Sequence, residues 1–516
     1  MFTAYLDRGL VVNPDGICVT SADAQVTLTY REATLLSHRI AKSLRNAGIP
    51  DDARVAVYSP NNVIAFACVL GVLRAGMTWV ALNPLAEVTE FATLLDHVEC
   101  AFLMYHESRA DRARNLLEAV STIRGSIMFG DDCREEFERW LAPEGLTRSN
   151  VYRGPDAVAM IMGTGGTTGQ PKAVPITNRQ YLTMSLAFNA HMPEAAPPVY
   201  LVAPPMTHAA GLSALPVLAE GGTVVVHDGV VAGEIFDSIE RHRVTRMFLP
   251  PTAIYGLLAD PAVRNVDYSS LRHFIYAAAP MSVDKLIEAL DVFGPVMTQT
   301  FGQAEAPMIC TCMTPAEHVD AAAQNAKRER LGSCGRPSYV AEVALMDDDG
   351  QAVGPNERGE IVVRGDLVMK GYYRNAEATD EVRRPGGWHG TGDIGYRDES
   401  GFVYIIDRKR DLIISAGFNV YPSDVERVVW SHPAVLDCAV IGVPDEKWGE
   451  AVTAVVELKD GMQVEAAELI ATCKKALGSV KAPKQVLFRE LPRSNNGKVL
   501  KRVLRDEYWI GRQRMV

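Results

Sequence analysis

A chain of 516 residues, 47% apolar and 22% charged, has the composition of an ordinary soluble globular protein long enough for two or more domains. Its formal net charge of −11 argues against nucleic acid or an anionic membrane as partner, because phosphates are bound by clustered positive charge. The one basic cluster, Arg408-Lys409-Arg410, is flanked by aspartates, and nine cysteines without a CxxC pair read as reduced thiols of a cytoplasmic protein.

The start, MFTAYLDRGLVV, lacks the charged and then apolar regions of a signal peptide. The longest apolar run, Val63 to Leu73, ends at Arg74, short of the roughly 20 residues that span a membrane. From about residue 54 to 300, short apolar runs alternate with stretches of helical length. RVAVYS, TWVAL, AFLMYH, VAMIMG, VYLVAPP, TVVVHD, RMFLPP, HFIYAAA and VMTQTFG are the runs; TNRQYLTMSLAFNAHM and GEIFDSIERHR are two of the helical stretches. Buried strands joined by helices imply βαβ units and parallel sheets, and so many strands predict two layered sheets. From about 335 to 406, AEVALMDDDGQAV, RGEIVVRG and SGFVYIID are strands between turn-rich pieces, which predicts antiparallel pairing. DDDG at 347–350 lacks the alternating oxygen ligands and later glutamate of a calcium loop and reads as a hairpin turn. Beyond Asp407, SDVERVVWSHP (helix), DCAVIGVPD and VTAVVEL (strands) and AAELIATCKKALG (helix) form a second, small unit.

MGTGGTTGQPKAV, residues 162–174, follows a buried strand and combines glycines, hydroxyls and Lys172. Glycine-rich backbone exposes N–H groups, as phosphate-binding nests do. Gln170 and Pro171 part Gly169 from Lys172, so this is not a Walker A loop, and GxGxxxG is not the dinucleotide fingerprint.

The stretch resembles Ser/Thr-Gly-Thr-Thr-Gly-x-Pro-Lys-Gly, the phosphate loop of adenylate-forming enzymes: acyl-CoA synthetases, peptide-synthetase adenylation domains and beetle luciferases. Further motifs follow in the family's order along almost the whole chain. PPMTHAAG at 204–211 matches the segment whose histidine, here His208, lies at the mouth of the acyl pocket. YAAAPMS at 276–282 looks like the strand end that packs on adenine through Ala278 and Ala279. TFGQAEAP at 300–307 matches Tyr-Gly-x-Thr-Glu; it assigns Glu305 to magnesium and Phe301, Gly302 and Ala304 to the nucleotide. WHGTGDIG at 388–395 assigns Asp393 to the ribose hydroxyls. DRKRDLIISAGFNVYPSDVE at 407–426 is similar to the junction between large and small domains. It implies that Arg408 contacts ribose or phosphate, Arg410 is the hinge and Gly417 walls the coenzyme A tunnel. PRSNNGKVLKR at 492–502 assigns Lys498 as the catalytic lysine.

By this resemblance, Thr164, Gly165, Gly166, Thr167, Thr168, Gly169 and Lys172 hold ATP phosphates, and Lys498, His208 and Glu305 serve catalysis. The expected fold is α/β. An N-terminal domain (1–407) carries two layered, mainly parallel sheets and a smaller β-rich subdomain, followed by a hinge (408–411) and a mobile α+β domain (412–516). The implied activity is that of an acyl-CoA synthetase using ATP, Mg2+ and coenzyme A, and a homodimer is compatible with it. Ala209 to Ala219 contains no acidic residue to hold an amino group, which favours an apolar fatty or aryl acid. An acyl-AMP ligase that loads a carrier protein is the alternative. Ala304 and Gly165, where a hydroxyl is usual, together with Phe301 for tyrosine and Ala173 for glycine, also leave open a non-catalytic nucleotide-binding descendant.

Overall fold

The computed structural model describes residues 2–84, 86–145, 151–164, 172–493 and 499–510. Two compact units divide the chain. The first comprises residues 1–343 and 363–389, and the second comprises residues 344–362 and 390–516. These divisions fall ahead of residue 407, the end of the first domain expected from the sequence.

The first unit holds two mainly parallel sheets, as expected from the buried strand pattern. One has nine strands in the order Arg336–Pro337, Ala306–Met313, Met297–Gln303, His273–Tyr276, Arg246–Leu249, Val199–Val202, Thr223–Val226, Ile17–Ser21 and Thr27–Thr29. Its inner pairings are parallel and its edges antiparallel. The other has six strands: Gly125–Phe129, Cys100–His106, Arg54–Tyr58, Thr78–Ala81, Val158–Thr164 and Lys172–Thr177. Helices Tyr30–Asn46 and Val63–Arg74 pack on one another, the first touching strands of the larger sheet and the second strands of the smaller. The apolar run is thus an interior helix, started by Asn62, whose Oδ1 accepts from the N–H groups of Ile64 and Ala65. Among the described residues no helix is long and apolar enough to cross a membrane. All nine cysteines are buried and unbridged.

A five-stranded sheet has the order Glu342–Met346, Gly359–Arg364, Trp388–Arg397 and Arg383–Arg384, with Val403–Arg408 pairing antiparallel to Trp388–Arg397. Asp347 starts a hairpin turn: its carbonyl accepts from Gly350 N–H and its Oδ1 from Gln351 N–H. In the second unit, Phe418–Val420, Ile413–Ser415, Gly449–Leu458 and Val435–Asp445 form the last sheet, and Gln485–Phe488 runs parallel to Gly449–Leu458. Val425, Val429, Val440, Val452, Leu469 and Cys473 make its core with helices Pro422–Trp430 and Ala466–Lys481.

Candidate functional site

The glycine-rich stretch does not lead straight from strand to helix. Lys172–Thr177 is a strand, antiparallel to Val158–Thr164 and in register from Gly163 opposite Ala173 to Thr164 opposite Lys172. The stretch therefore closes a β-hairpin. Pro175 inside it hides this strand in the sequence; an edge strand tolerates the missing N–H. Thr177 ends it with a capping box to Gln180 and starts helix Asn178–His191. Gly165, Gly166, Thr167, Thr168 and Gly169 lie outside the described residues. Lys172, at the hairpin's foot, places Nζ 3.3 Å from Glu381 Oε2 and 5.0 Å above the Tyr372 ring.

A second hairpin presents Glu305. Met297–Gln303 pairs antiparallel with Ala306–Met313, Gln303 opposite Ala306, so Ala304 and Glu305 form the two-residue tip. Ala306–Met313 is also hidden in the sequence, where Pro307 stands inside it; in the fold Met308 sits at φ +65° and the ladder shifts between Phe301 and Gln303. Gly302 makes that shift feasible. A Cβ there would lie 2.5 Å from Met308 N and 2.8 Å from Ala306 O, both backbone. Gly302→Ala is expected to destabilise the protein by about 1–3 kcal/mol, as overpacking does. An unchanged denaturant midpoint would show that the two strands part to admit a methyl group.

Glu305 is buried, and its Oε1 accepts from the Tyr372 hydroxyl at 2.7 Å. Its carbonyl accepts from Met369 N–H at 2.7 Å. Burial first, and then the Glu305 charge, push the Tyr372 hydroxyl well above its ordinary pKa, so it stays a donor. Tyr372 is set by its own N–H to Thr379 Oγ1 (3.0 Å), just ahead of helix Ala376–Val382, which Asn375 caps. Ala304 packs against an apolar cluster of Val174, Met369, Tyr372 and Ala378. Lys172 and the adjacent pair Ala304 and Glu305, distant from it in sequence, thus meet around Tyr372, which the sequence hides inside a turn-rich piece. Its only signal was Gly371-Tyr372 ahead of a capping asparagine.

No group of three or more His, Cys, Asp or Glu gathers as a cation cage among the described residues. A single carboxylate suits Mg2+, which keeps several waters and takes substrate phosphates as its other ligands. Glu305 fits that demand.

His208 stands directly before helix Ala209–Ala219 without a side-chain capping bond, and its Nδ1 lies 3.0 Å from Thr207 Oγ1. Burial lowers its pKa, favouring the neutral imidazole. Asn61 fixes the segment before it: Nδ2 donates to the carbonyls of Ala203, Pro204 and His227, and Oδ1 accepts from Met206 N–H. A cavity of about 40 Å³ with largely apolar walls, including Val57, Phe66, Trp79, Met206, Thr207 and Leu215, adjoins this segment. A roomier cleft of about 390 Å³ is lined by Asp23, Asp228, Glu234 and Asp237 with one cation, Arg241. Its acidity would repel a polyphosphate, so the motif residues locate the candidate site better than volume does. Ala278 follows strand His273–Tyr276 at φ +72°, a left-handed conformation that strains a non-glycine residue by about 1–2 kcal/mol. Ala278 is exposed, Ala279 half-buried and Phe301 buried.

In the second unit Asp393 and Arg408 stand opposite each other on paired strands, Arg408 Nε 2.6 Å from Asp393 Oδ1. Asp393 is buried and Arg408 half-exposed. The neighbouring Gly392 N–H donates to Glu360, which Lys409 approaches at 3.3 Å. Arg410 lies in the short turn Lys409–Asp411, and its carbonyl accepts from Arg505. Gly417 (φ +78°) and Ala416 (φ +53°) form the two-residue tip of the hairpin joining Ile413–Ser415 to Phe418–Val420. Lys498 lies outside the described residues. The chain on either side is pinned: Arg493 bridges to Val499, and Leu500 N–H donates to Pro492 O at 2.7 Å.

Residues 6–373 match the AMP-binding enzyme family, and residues 424–498 match the AMP-binding enzyme C-terminal domain. The chain is 36% identical over 461 residues to a medium/long-chain-fatty-acid–CoA ligase, FadD8, of Mycobacterium tuberculosis, covering 86% of this chain and 79% of the relative. It is 35% identical over 486 residues to a feruloyl-CoA synthase of Streptomyces sp., covering 93% and 94%. Among solved structures, the amide bond synthetase McbA from Marinactinospora thermotolerans superposes with a TM-score of 0.87 at 33% identity, over 98% of this chain and all of that one.

Proposed function

The chain belongs to the AMP-binding enzyme family and is an acid–thiol ligase that forms acyl-CoA at the expense of ATP; on that premise we propose how its residues divide the work. In the first half-reaction a carboxylate oxygen attacks the α-phosphorus and the bond to pyrophosphate breaks, giving acyl-AMP. In the second, a thiol attacks the acyl carbon and AMP leaves. The acid is apolar, fatty or aryl. This is supported by the apolar run from Ala209 to Leu218 behind His208 and by relatives named for fatty and aromatic acids.

Thr164, Gly165, Gly166, Thr167, Thr168, Gly169 and Lys172 hold the β- and γ-phosphates. Ala278, Ala279, Phe301 and Gly302 pack on the base, Ala304 borders the α-phosphate, and Asp393 with Arg408 takes the ribose. Glu305 binds Mg2+, which when present screens the triphosphate charge. Lys498 serves the first half-reaction and the Gly417 hairpin the second, so Arg410 lies in the pivot. Domains at 1–407 and 412–516, joined by the hinge 408–411, suit that alternation, and the compartment is cytoplasmic. The observation that carries this reading is the meeting of the Lys172 ammonium and the Glu305 carboxylate at one tyrosine, from hairpins that the family's two nucleotide motifs form.

Pyrophosphate exchange with a panel of carboxylic acids tests it. Exchange should appear with apolar or aryl acids, and coenzyme A alone should then consume the adenylate. ATP binding without exchange for any acid would overturn the catalytic assignment. An amine and a carrier protein belong in the second stage as competing acceptors, the amine because of the similarity to an amide bond synthetase. Faster consumption by either would displace coenzyme A.

The missing hydroxyl at Ala304 gives a further expectation. Ala304→Thr should keep or raise adenylation, since one hydrogen bond to a charged group contributes about 1.5–3 kcal/mol. A collapse of exchange in a folded variant would show that the cluster with Val174 and Met369 has closed around the methyl group.

A further inference from the structure

We infer that Tyr372 is a positioning residue that aims Glu305 at the metal and holds Lys172 beside it. The inference rests on the reading of Glu305 as the magnesium ligand.

Three features of the tyrosine carry it. First, its hydroxyl engages only one oxygen of the buried carboxylate, Oε1, at 2.7 Å. Oε2 has no protein partner among the described residues. A donor on one oxygen fixes the carboxylate plane and leaves the other oxygen's lone pairs for a single hard cation, the monodentate use that Mg2+ makes of a carboxylate. Second, the ring face carries the Lys172 ammonium at 5.0 Å, within cation–π range. Glu381, at 3.3 Å from Nζ, is mostly exposed and able to turn away, whereas the ring is not. Third, the ring is immobilised. Val174, Met369 and Ala378 pack against it, and its N–H is tied to Thr379 Oγ1. One rigid side chain therefore sets the distance between a cation-binding oxygen and a phosphate-binding ammonium contributed by two separate hairpins.

A tyrosine that only filled space would lose nothing as phenylalanine. Tyr372→Phe keeps the ring and the cation–π contact but removes the donor to Glu305. The test is the binding of Mn2+ together with a non-hydrolysable ATP analogue to the full-length protein, followed by electron paramagnetic resonance, which reads the metal without turnover. Tyr372→Phe should weaken Mn2+ binding about 10-fold, the scale of one hydrogen bond to a charged group. In exchange assays its defect should fall on the apparent KM for the metal–nucleotide pair, and raised Mg2+ should restore the rate. Tyr372→Leu, which removes the ring face too, should also weaken binding of the analogue without metal.

Glu305→Gln separates the two ideas. If it binds Mn2+ like the parent, the assignment of Glu305 is wrong and the inference falls with it. If Glu305→Gln weakens the metal but Tyr372→Phe stays within twofold of the parent, Glu305 keeps its role and Tyr372 is packing alone. Thr379→Val loosens the same turn without touching the carboxylate. Should it reproduce the metal loss of Tyr372→Phe at an equal drop in Tm, the effect belongs to the turn and the inference is overturned. Metal loss in Tyr372→Phe at parental Tm would establish it.

Discussion

Lys498→Ala is expected to slow adenylation by at least about 10²–10³-fold, the loss typical of one donor aimed at developing charge. Thioester formation from supplied acyl-AMP should stay nearly intact. A lysine suits the first step because a compact ammonium on a long stem can follow negative charge as it moves between carboxylate and α-phosphate. The flanks of its segment make the variant interpretable. Pro492 and Leu500 are hydrogen-bonded, Arg493 is ion-paired to Asp437 and Glu457, and Lys501 is held by Glu426 at 2.7 Å. These contacts hold the flanks independently of residue 498, and a Tm within a degree or two of the parent is the control that Lys498→Ala is folded. Pyrophosphate exchange reads the first half-reaction, and single-turnover release of AMP from added acyl-AMP and coenzyme A reads the second. Equal losses in both, in a folded variant, would mean that Lys498 is not specific to adenylation.

The parallel strands were legible because strands buried on both faces are written as continuous apolar runs, such as TVVV and RMFL. The two unread strands, Lys172–Thr177 and Ala306–Met313, break that pattern through Pro175 and Pro307. Both form hairpins that carry the candidate site, so local rules failed where the backbone bends to present a side chain. The individual site residues were legible only through the family resemblance, since a lone histidine or lysine has no distinguishing chemistry in sequence. Tyr372 could not be found that way. Its hydroxyl reaches a carboxylate 67 positions earlier, and its ring a lysine two hundred positions earlier, contacts that exist only after the hairpins close. The pairing of Asp393 with Arg408 was closer to the surface of the sequence. Both stand at the ends of a hairpin whose turn, around Asp398 and Gly401, is written in turn residues.

Gly417→Leu is expected to mirror Lys498→Ala, keeping pyrophosphate exchange near the parental rate and accumulating bound acyl-AMP while coenzyme A-dependent turnover falls on the order of 10²-fold, the scale of misplacing a reacting group. Two mechanisms compete for such a result. Gly417 has φ +78° beside Ala416 at +53°, the paired left-handed geometry of a tight hairpin turn, and a leucine there is strained by about 1–2 kcal/mol. A Cβ at 417 would meet no atom of the described residues within 4 Å, so among them strain comes from the backbone alone and the side chain would project into open space. That space is where we place the thiol's path. Asparagine separates the two mechanisms, because it adopts the left-handed region readily yet still adds a side chain. If obstruction dominates, Gly417→Asn should also lose coenzyme A-dependent turnover at an unchanged Tm. If strain dominates, asparagine should behave like the parent, and leucine should lower Tm and both half-reactions together. A folded Gly417→Leu that makes acyl-CoA at the parental rate would remove Gly417 from the thiol path altogether.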